Sequence, residues 1–146
     1  KTDGTTITQV SNTSKDNNAT DAISFLRVNN SDLYFKANNE NGVSKLFKTD
    51  GTTVTQVSNT IGDNTVSDNL DNIWSISNRF YFSAYANAGA RKLYVVEDDS
   101  TVVQISNTSE DNSLDDSVSN LTEMNGNLYF VAKNSNGVKK LYKLSQ

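Results

Sequence analysis

The sequence predicts an all-β fold built from a repeated four-stranded unit, and three observations support this prediction. A motif beginning Leu33-Tyr34-Phe35 recurs at Phe80 and at Leu128, at intervals of 47 and then 48 residues. Apolar and polar residues alternate through these segments, as they do in strands. No segment of ten or more residues carries helical periodicity, so the repeating unit is a β structure.

The most complete copy of the repeat divides into four strands separated by turn-forming segments. We expect these strands at residues 23–28, 33–37, 44–48 and 52–57. The segments between them are rich in Asn, Asp, Ser and Gly, whose side chains replace backbone hydrogen bonds or tolerate positive φ. Asp50-Gly51 is the strongest signal for a tight turn in the unit.

The longest loop of the unit also repeats. Ser11-Asn12-Thr13 matches the segments at 58–60 and 106–108, and two aspartates follow each segment at constant offsets. Carboxylate and amide oxygens are ligands that calcium prefers, so one hypothesis is a calcium site, although the spacing matches no EF-hand. The alternative is that the side chains cap turns. The six aspartates concerned are Asp16, Asp21, Asp63, Asp68, Asp111 and Asp116.

Tandem four-stranded antiparallel units of this length are typical of β-propellers, in which each unit is one blade. A blade buries both of its faces against neighbouring blades. This explains why the strand at 33–37 carries large residues on both faces, and we expect Tyr34, Tyr81 and Tyr129 to lie in the core between blades. The whole chain, residues 1–146, is therefore predicted to be a single unit of three blades.

The repeat is offset at the two ends of the chain. Residues 1–10 correspond to the turn and fourth strand of a blade, whereas residues 118–146 supply only the first three strands. Three blades are too few to close a ring, so we expect two chains to join head to tail as a six-bladed homodimer in which each outer strand completes the partner's last blade. A fragment cut from a longer propeller is the alternative. The predicted assembly residues are Thr5, Ile7, Val10, Leu141 and Tyr142.

Composition narrows the function. The 146 residues include neither histidine nor cysteine, which removes the commonest metal ligand, acid/base group and thiol nucleophile. With 17 acidic and 13 basic residues and no concentrated basic face, neither nucleic acid nor a membrane surface is an expected partner. The glutamates do not repeat, so no catalytic pair is indicated and no enzyme activity is expected. No cofactor is expected either, calcium being the one open possibility.

Carbohydrate is the remaining candidate ligand. Sugars bind beside aromatic platforms that are flanked by amide and carboxylate groups, and propellers offer repeated shallow pockets for such ligands. Trp74, Tyr85 and Phe25 are candidate platforms, and Asn39 and Asn41 are candidate hydrogen-bonding groups. Packing or lining the ring is the alternative role for Trp74, because it occurs once and not in every repeat.

The repeat resembles a known family. The pattern Leu33-Tyr34-Phe35-Lys36-Ala37, then Asn41-Gly42, then 45–52 is similar to the bacterial secreted and surface β-propeller repeats with a Glu-Leu-Trp-x-x-Asp-Gly-Thr signature. The resemblance implies an extracellular or cell-surface location and no single activity. Because stacking of the repeats to bury a core requires no further function, we expect a non-catalytic scaffold or interaction module that self-assembles by strand exchange. A multivalent glycan-binding lectin is the alternative function.

Overall fold

A computed structural model describes residues 4–97 and 100–145, and all regular structure in these ranges is β. The strands of the first copy are β1 (Ser24–Asn29), β2 (Asp32–Asn38), β3 (Ser44–Thr49) and β4 (Val54–Gln56). Those of the second are β5 (Asp71–Ile76), β6 (Arg79–Tyr85), β7 (Arg91–Val96) and β8 (Val102–Gln104). The third copy contains β9 (Ser119–Met124), β10 (Asn127–Lys133) and β11 (Lys139–Leu144). None of the described segments forms a helix of the length and hydrophobicity that a membrane span requires.

The strands form three antiparallel sheets, each a simple meander. The first sheet has the order β1-β2-β3-β4, the second β5-β6-β7-β8, and the third β11-β10-β9. The prediction of an all-β chain made of antiparallel units is thus confirmed. The first three predicted strands agree with the structure to within one residue at each end. The fourth begins two residues later than predicted, because the N–H groups of Thr52 and Thr53 donate to Asp50 Oδ1. It ends one residue earlier, because the N–H groups of Val57 and Ser58 both donate to the carbonyl of Leu46.

The sheets pack side by side, with their first strands β1, β5 and β9 in successive contact. Tyr34 and Leu46 of the first sheet enter a core formed mainly by the second sheet, where the ring of Tyr34 stacks on Phe80 with centroids 4.4 Å apart. Tyr81 and Leu93 of the second sheet enter the core of the third in the equivalent way. Both interfaces therefore use the same two positions of the repeat as the inserted side chains.

The first strand of every sheet has an irregular register near its start. At this point Phe25, Asn72 and Asn120 take positive φ angles of 55°, 48° and 54°. Asparagine tolerates this conformation, whereas a bulky residue such as phenylalanine is strained in it. The amide of Asn72 also donates to the carbonyl of Val118 at 3.2 Å, which links the second sheet to the segment preceding the third.

Candidate functional site

The three long loops have the same backbone structure, and we call residues 11–21, 58–68 and 106–116 the first, second and third Asp loops. In each loop the leading aspartate caps a turn by accepting a hydrogen bond of 2.8 Å from a backbone N–H two residues later. These donors are Asn18, Thr65 and Ser113. The leading aspartates Asp16, Asp63 and Asp111 thus perform the turn-capping role that the sequence offered as the alternative to calcium binding.

The last residue of each Asp loop is its trailing aspartate, and that of the second loop, Asp68, binds Lys45 of β3. The side chains of Lys45 and Asp68 are both fully buried, and Lys45 Nζ lies 2.8 Å from Asp68 Oδ1. The same ammonium donates to Asn59 Oδ1 and to the carbonyl of Asp63, both at 3.0 Å. Ser58 Oγ donates to the second carboxylate oxygen of Asp68 at 2.6 Å, so both oxygens of this buried carboxylate have partners.

The third Asp loop repeats this arrangement around a second fully buried pair. Lys92 Nζ lies 3.0 Å from Asp116 Oδ1 and donates to Asn107 Oδ1 at 3.1 Å and to the carbonyl of Asp111 at 3.0 Å. Ser109, which has no hydroxyl counterpart in the second loop, adds a further acceptor for Lys92 at 3.1 Å. We call this set of oxygens a lysine cage, because it surrounds one ammonium group in the interior of the loop.

Hydrogen bonding lowers the pKa of two trailing aspartates, Asp21 and Asp116. Burial opposes ionisation of Asp116, but hydrogen bonds from Ser106, Ser109 and Lys92 outweigh it and lower its pKa. Burial also opposes ionisation of Asp21 in the first loop, where hydrogen bonds from Ser14, Ser11 and Thr13 lower the pKa to about 2. Both carboxyl groups are therefore charged at neutral pH.

The lysines were missed by the sequence reasoning, although a signal for them exists. Lys45, Lys92 and Lys140 each stand one residue before the repeated leucine that begins the third-strand motif. In two loops the ammonium lies where the hypothesis had placed a calcium ion. Among the described residues, no three acidic side chains converge in a geometry that could hold a metal ion.

The predicted assembly residues do not share one surface: Val10 and Leu141 lie on the outer sides of the first and third sheets, whereas Tyr142 lies on the side of the third sheet that faces the second. Thr5 and Ile7 are exposed, and residues 4–10 contain a single isolated bridge at Ile7 in place of a full strand. Val10 lines a groove of about 200 Å³ on the first sheet together with Ile23, Leu26, Leu33, Phe35 and others. Tyr142 stacks on Phe130 of its own sheet with centroids 5.7 Å apart. The predicted turn residues Thr2 and Asp3 lie outside the described ranges.

One leucine on each outer face is exposed although its equivalents are buried between sheets. Leu141 is 70% exposed on the third sheet, whereas its equivalents Leu46 and Leu93 are 0% exposed. Leu26 on the first sheet is 51% exposed, whereas its equivalents Ile73 and Leu121 are 6% and 7% exposed. We call the outer face of the first sheet the front face and that of the third sheet the back face.

The predicted carbohydrate-binding residues are not brought together. Trp74 and Phe25 are exposed on first strands of different sheets, and the ammonium of Lys36 lies 5.3 Å from the centre of the Phe25 ring. Tyr85 is covered by the guanidinium of Arg91, 4.8 Å from the ring centre. These aromatic groups therefore form no common platform.

The two predicted asparagines have structural contacts in the β2–β3 hairpin. Asn39 is buried, its Oδ1 accepts hydrogen bonds from the N–H groups of Asn41 and Val43, and its Nδ2 donates to the carbonyl of Asn64 at 2.8 Å. Asn41 Nδ2 donates to the same carbonyl at 3.1 Å. Both side chains therefore connect the hairpin to the second Asp loop.

A groove lined by both polar and apolar groups recurs beside each sheet. The groove beside the second sheet, about 650 Å³, is lined by amide, hydroxyl and small apolar groups with one aromatic ring: Asn59, Thr60, Ala86, Asn87, Ala88, Tyr94, Val102, Gln104 and Asn112. Smaller grooves of about 230 Å³ contain the equivalents of Thr60 and Tyr94, namely Thr13 with Phe47 and Thr108 with Tyr142. Sequence reasoning expected repeated shallow pockets but placed the ligand groups at other residues.

Comparison of the chain with protein-family models, with curated protein sequences and with solved structures finds no match in any of the three.

Proposed function

We propose that the chain is a non-catalytic β-propeller scaffold of a secreted or surface protein, related to the bacterial repeats it resembles, that associates with a second copy. The observation that carries this proposal is the contrast between Leu141 and its buried equivalents Leu46 and Leu93. Monomeric proteins seldom leave contiguous apolar faces in water, and burying one leucine contributes about 2 kcal/mol. The exposed faces are therefore candidate interfaces.

A second copy is the best-fitting occupant because the two faces are the two halves of one repeated interface. At the internal interfaces, a tyrosine and a leucine from one sheet enter the groove of the next. The back face presents the corresponding pair, Tyr129 and Leu141, and the front face presents the corresponding groove. Head-to-tail contacts of this kind produce a closed ring when the rotation between subunits allows it, and two chains would supply six blades.

Sedimentation velocity tests the proposal. A chain of 16.0 kDa is expected to sediment as a dimer of about twice that mass at micromolar concentration. Leu141→Asp should give a monomer, because it places a charge at the centre of the back face. The matched control is Leu114→Asp, since Leu114 and its equivalent Val66 are both exposed in their loops. A wild-type monomer, or a dimer that withstands Leu141→Asp, would refute the proposal.

Glycan binding is the second candidate function, and the repeated groove favours it. Amide groups from Asn59, Asn87 and Asn112 line the groove of about 650 Å³ beside the ring of Tyr94. A glycan array with the wild-type protein tests this function. Ala88→Gln, which narrows the groove, should weaken any signal, whereas Ala19→Gln in the first Asp loop should leave it unchanged. Equal signals from both variants, or none from the wild type, would exclude this groove as a sugar site.

A further inference from the structure

The first Asp loop has the geometry of a lysine cage but receives no lysine from the described part of the chain. In all three loops the backbone carbonyl of the Asn at the second position accepts a hydrogen bond from the N–H group three residues further along the chain. The donors are Lys15, Gly62 and Glu110, at 3.0–3.2 Å. In all three, the threonine after this Asn donates at 2.6 Å to a carbonyl of the next sheet. The loops are thus preformed in the same way.

The groups that hold the ammonium elsewhere are present in the first loop. Asn12, the carbonyl of Asp16 and the carboxylate of Asp21 correspond to the three acceptors that Lys45 and Lys92 share. Ser14 donates to the carbonyl of Asp16 at 3.1 Å, as Ser109 does to that of Asp111 at 3.0 Å. Asp21 is half-buried, and no ion pair among the described residues includes it. The first Asp loop therefore carries the same acceptor groups as the two lysine cages.

The third sheet carries a lysine in the matching position. Lys140 pairs with Ala132 across β10 and β11, in the register by which Lys45 pairs with Ala37 and Lys92 with Ala84. Lys45 and Lys92 are fully buried, whereas Lys140 is exposed and has no ion pair within the described ranges. Lys140 differs from the other two in that, within the described ranges, no Asp loop packs against the start of its strand.

We propose that Lys140 of one copy enters the first Asp loop of a second copy and binds Asn12, Asp16 and Asp21 there. This inference rests on the proposed self-association and adds the group that fixes its direction and register. A buried charged pair suits this role, because a misaligned interface would leave both charges without partners.

The internal copies also specify the backbone bonds that would accompany the ion pair. Asp68 and Asp116 donate their N–H groups to the carbonyls of Ser44 and Arg91, both at 3.1 Å. The corresponding bond would join Asp21 of one copy to the carbonyl of Lys139 in the other. Leu46 and Leu93 donate their N–H groups to Ser58 and Ser106. The corresponding acceptor for Leu141 would be Ser11.

The test is a double-mutant cycle on dimerisation, measured by sedimentation equilibrium. Lys140→Met keeps the length and apolar part of the side chain, and because Lys140 is exposed the variant should fold normally, as judged by circular dichroism. We expect it to raise the dimer dissociation constant at least about 100-fold, since it leaves a carboxylate buried without its cation. Arg79→Met, which removes an exposed cation of the second sheet away from both outer faces, is the control and should change it less than about threefold.

Asp21→Asn completes the cycle. If Lys140 and Asp21 bind each other, the double variant should be much less impaired than the product of the two single effects predicts. Independent effects, or a Lys140→Met dimer as tight as the wild type, would overturn the lysine assignment while leaving the proposed dimer intact. A monomeric wild type would overturn both, and a dimer lost only with Leu141→Asp would show that apolar contact alone joins the copies.

Discussion

The backbone at Phe25 is the clearest strain at a single residue. Its equivalents Asn72 and Asn120 share the positive φ, and asparagine accepts this conformation at lower cost. The side chain of Asn72 also makes a hydrogen bond to the next repeat that phenylalanine cannot make.

Phe25→Asn should therefore stabilise the chain. We expect a gain of about 1 kcal/mol in the free energy of unfolding, from relief of strain and from a new bond equivalent to that of Asn72. Urea denaturation followed by circular dichroism measures it. Trp74→Asn is the matched control, because Trp74 is a similarly exposed aromatic residue at ordinary φ and should show no gain. A loss of stability in both variants would contradict the strain argument.

Asp21 and Asp116 make stability depend on pH. The folded-state pKa of Asp21 is about 2 and that of Asp116 is also lowered, both below the ordinary value of 3.8. A lowered carboxyl pKa contributes stability that is present above the unfolded-state value and is lost as pH falls through the folded-state value. The melting temperature should thus be constant above about pH 5 and fall between about pH 4 and 2.

Thermal unfolding at a series of pH values checks this prediction. Asp21→Asn removes one of the titrating groups, so its melting temperature should fall less steeply in acid than that of the wild type. A wild-type melting temperature that is unchanged between pH 5 and 2 would show that these hydrogen bonds do not favour the charged carboxylates.

At the scale of elements, the hairpins differ in how they are held to the Asp loops. In the β2–β3 hairpin Asn39 makes three hydrogen bonds, one of them to the second Asp loop. The equivalent Asn134 keeps the two bonds within its own hairpin. In the second sheet the equivalent residue is Ala86, so its side chain makes no such bonds.

Asn39→Ala should destabilise the chain by about 1–2 kcal/mol, because it leaves two backbone N–H groups and one carbonyl without these partners. Asn41→Ala removes one exposed bond and should cost less than about 0.5 kcal/mol. Urea titration distinguishes the two. If Asn39→Ala left the free energy of unfolding unchanged, the hydrogen bonds of Asn39 would not stabilise the fold. Its amide would then again be a candidate for binding a ligand.

At the scale of the whole molecule, self-association predicts a concentration-dependent stability. A dimer that forms only from folded chains is stabilised by mass action, so a hundredfold rise in wild-type concentration should raise the melting temperature by several degrees. Differential scanning calorimetry at two concentrations measures this shift. The melting temperature of the Leu141→Asp variant should be the same at both protein concentrations. A wild-type melting temperature independent of concentration would contradict association in this range.

The sequence by itself determined the repeat, the β class, the hairpins and the bounds of most strands. These features are local: alternation with a period of two defines a strand, and Asn, Asp and Gly define the turns between strands. The prediction for 33–37 agrees with β2 to within one residue at each end. The late start of β4 comes from the local turn at Asp50, whereas its early end depends on bonds to Leu46 of the neighbouring strand, which the alternating pattern does not specify.

Only the tertiary structure decided which side chains meet across the repeats. Lys45 and Asp68 are 23 positions apart, and their pairing depends on the return of the Asp loop to the start of β3. The same packing gives the equivalent leucines different exposure. Leu46 is covered by the following sheet, whereas no sheet in the described part of the chain covers Leu141. Identical motifs thus acquire different roles, because burial is a property of neighbours in space and the repeat specifies only neighbours along the chain.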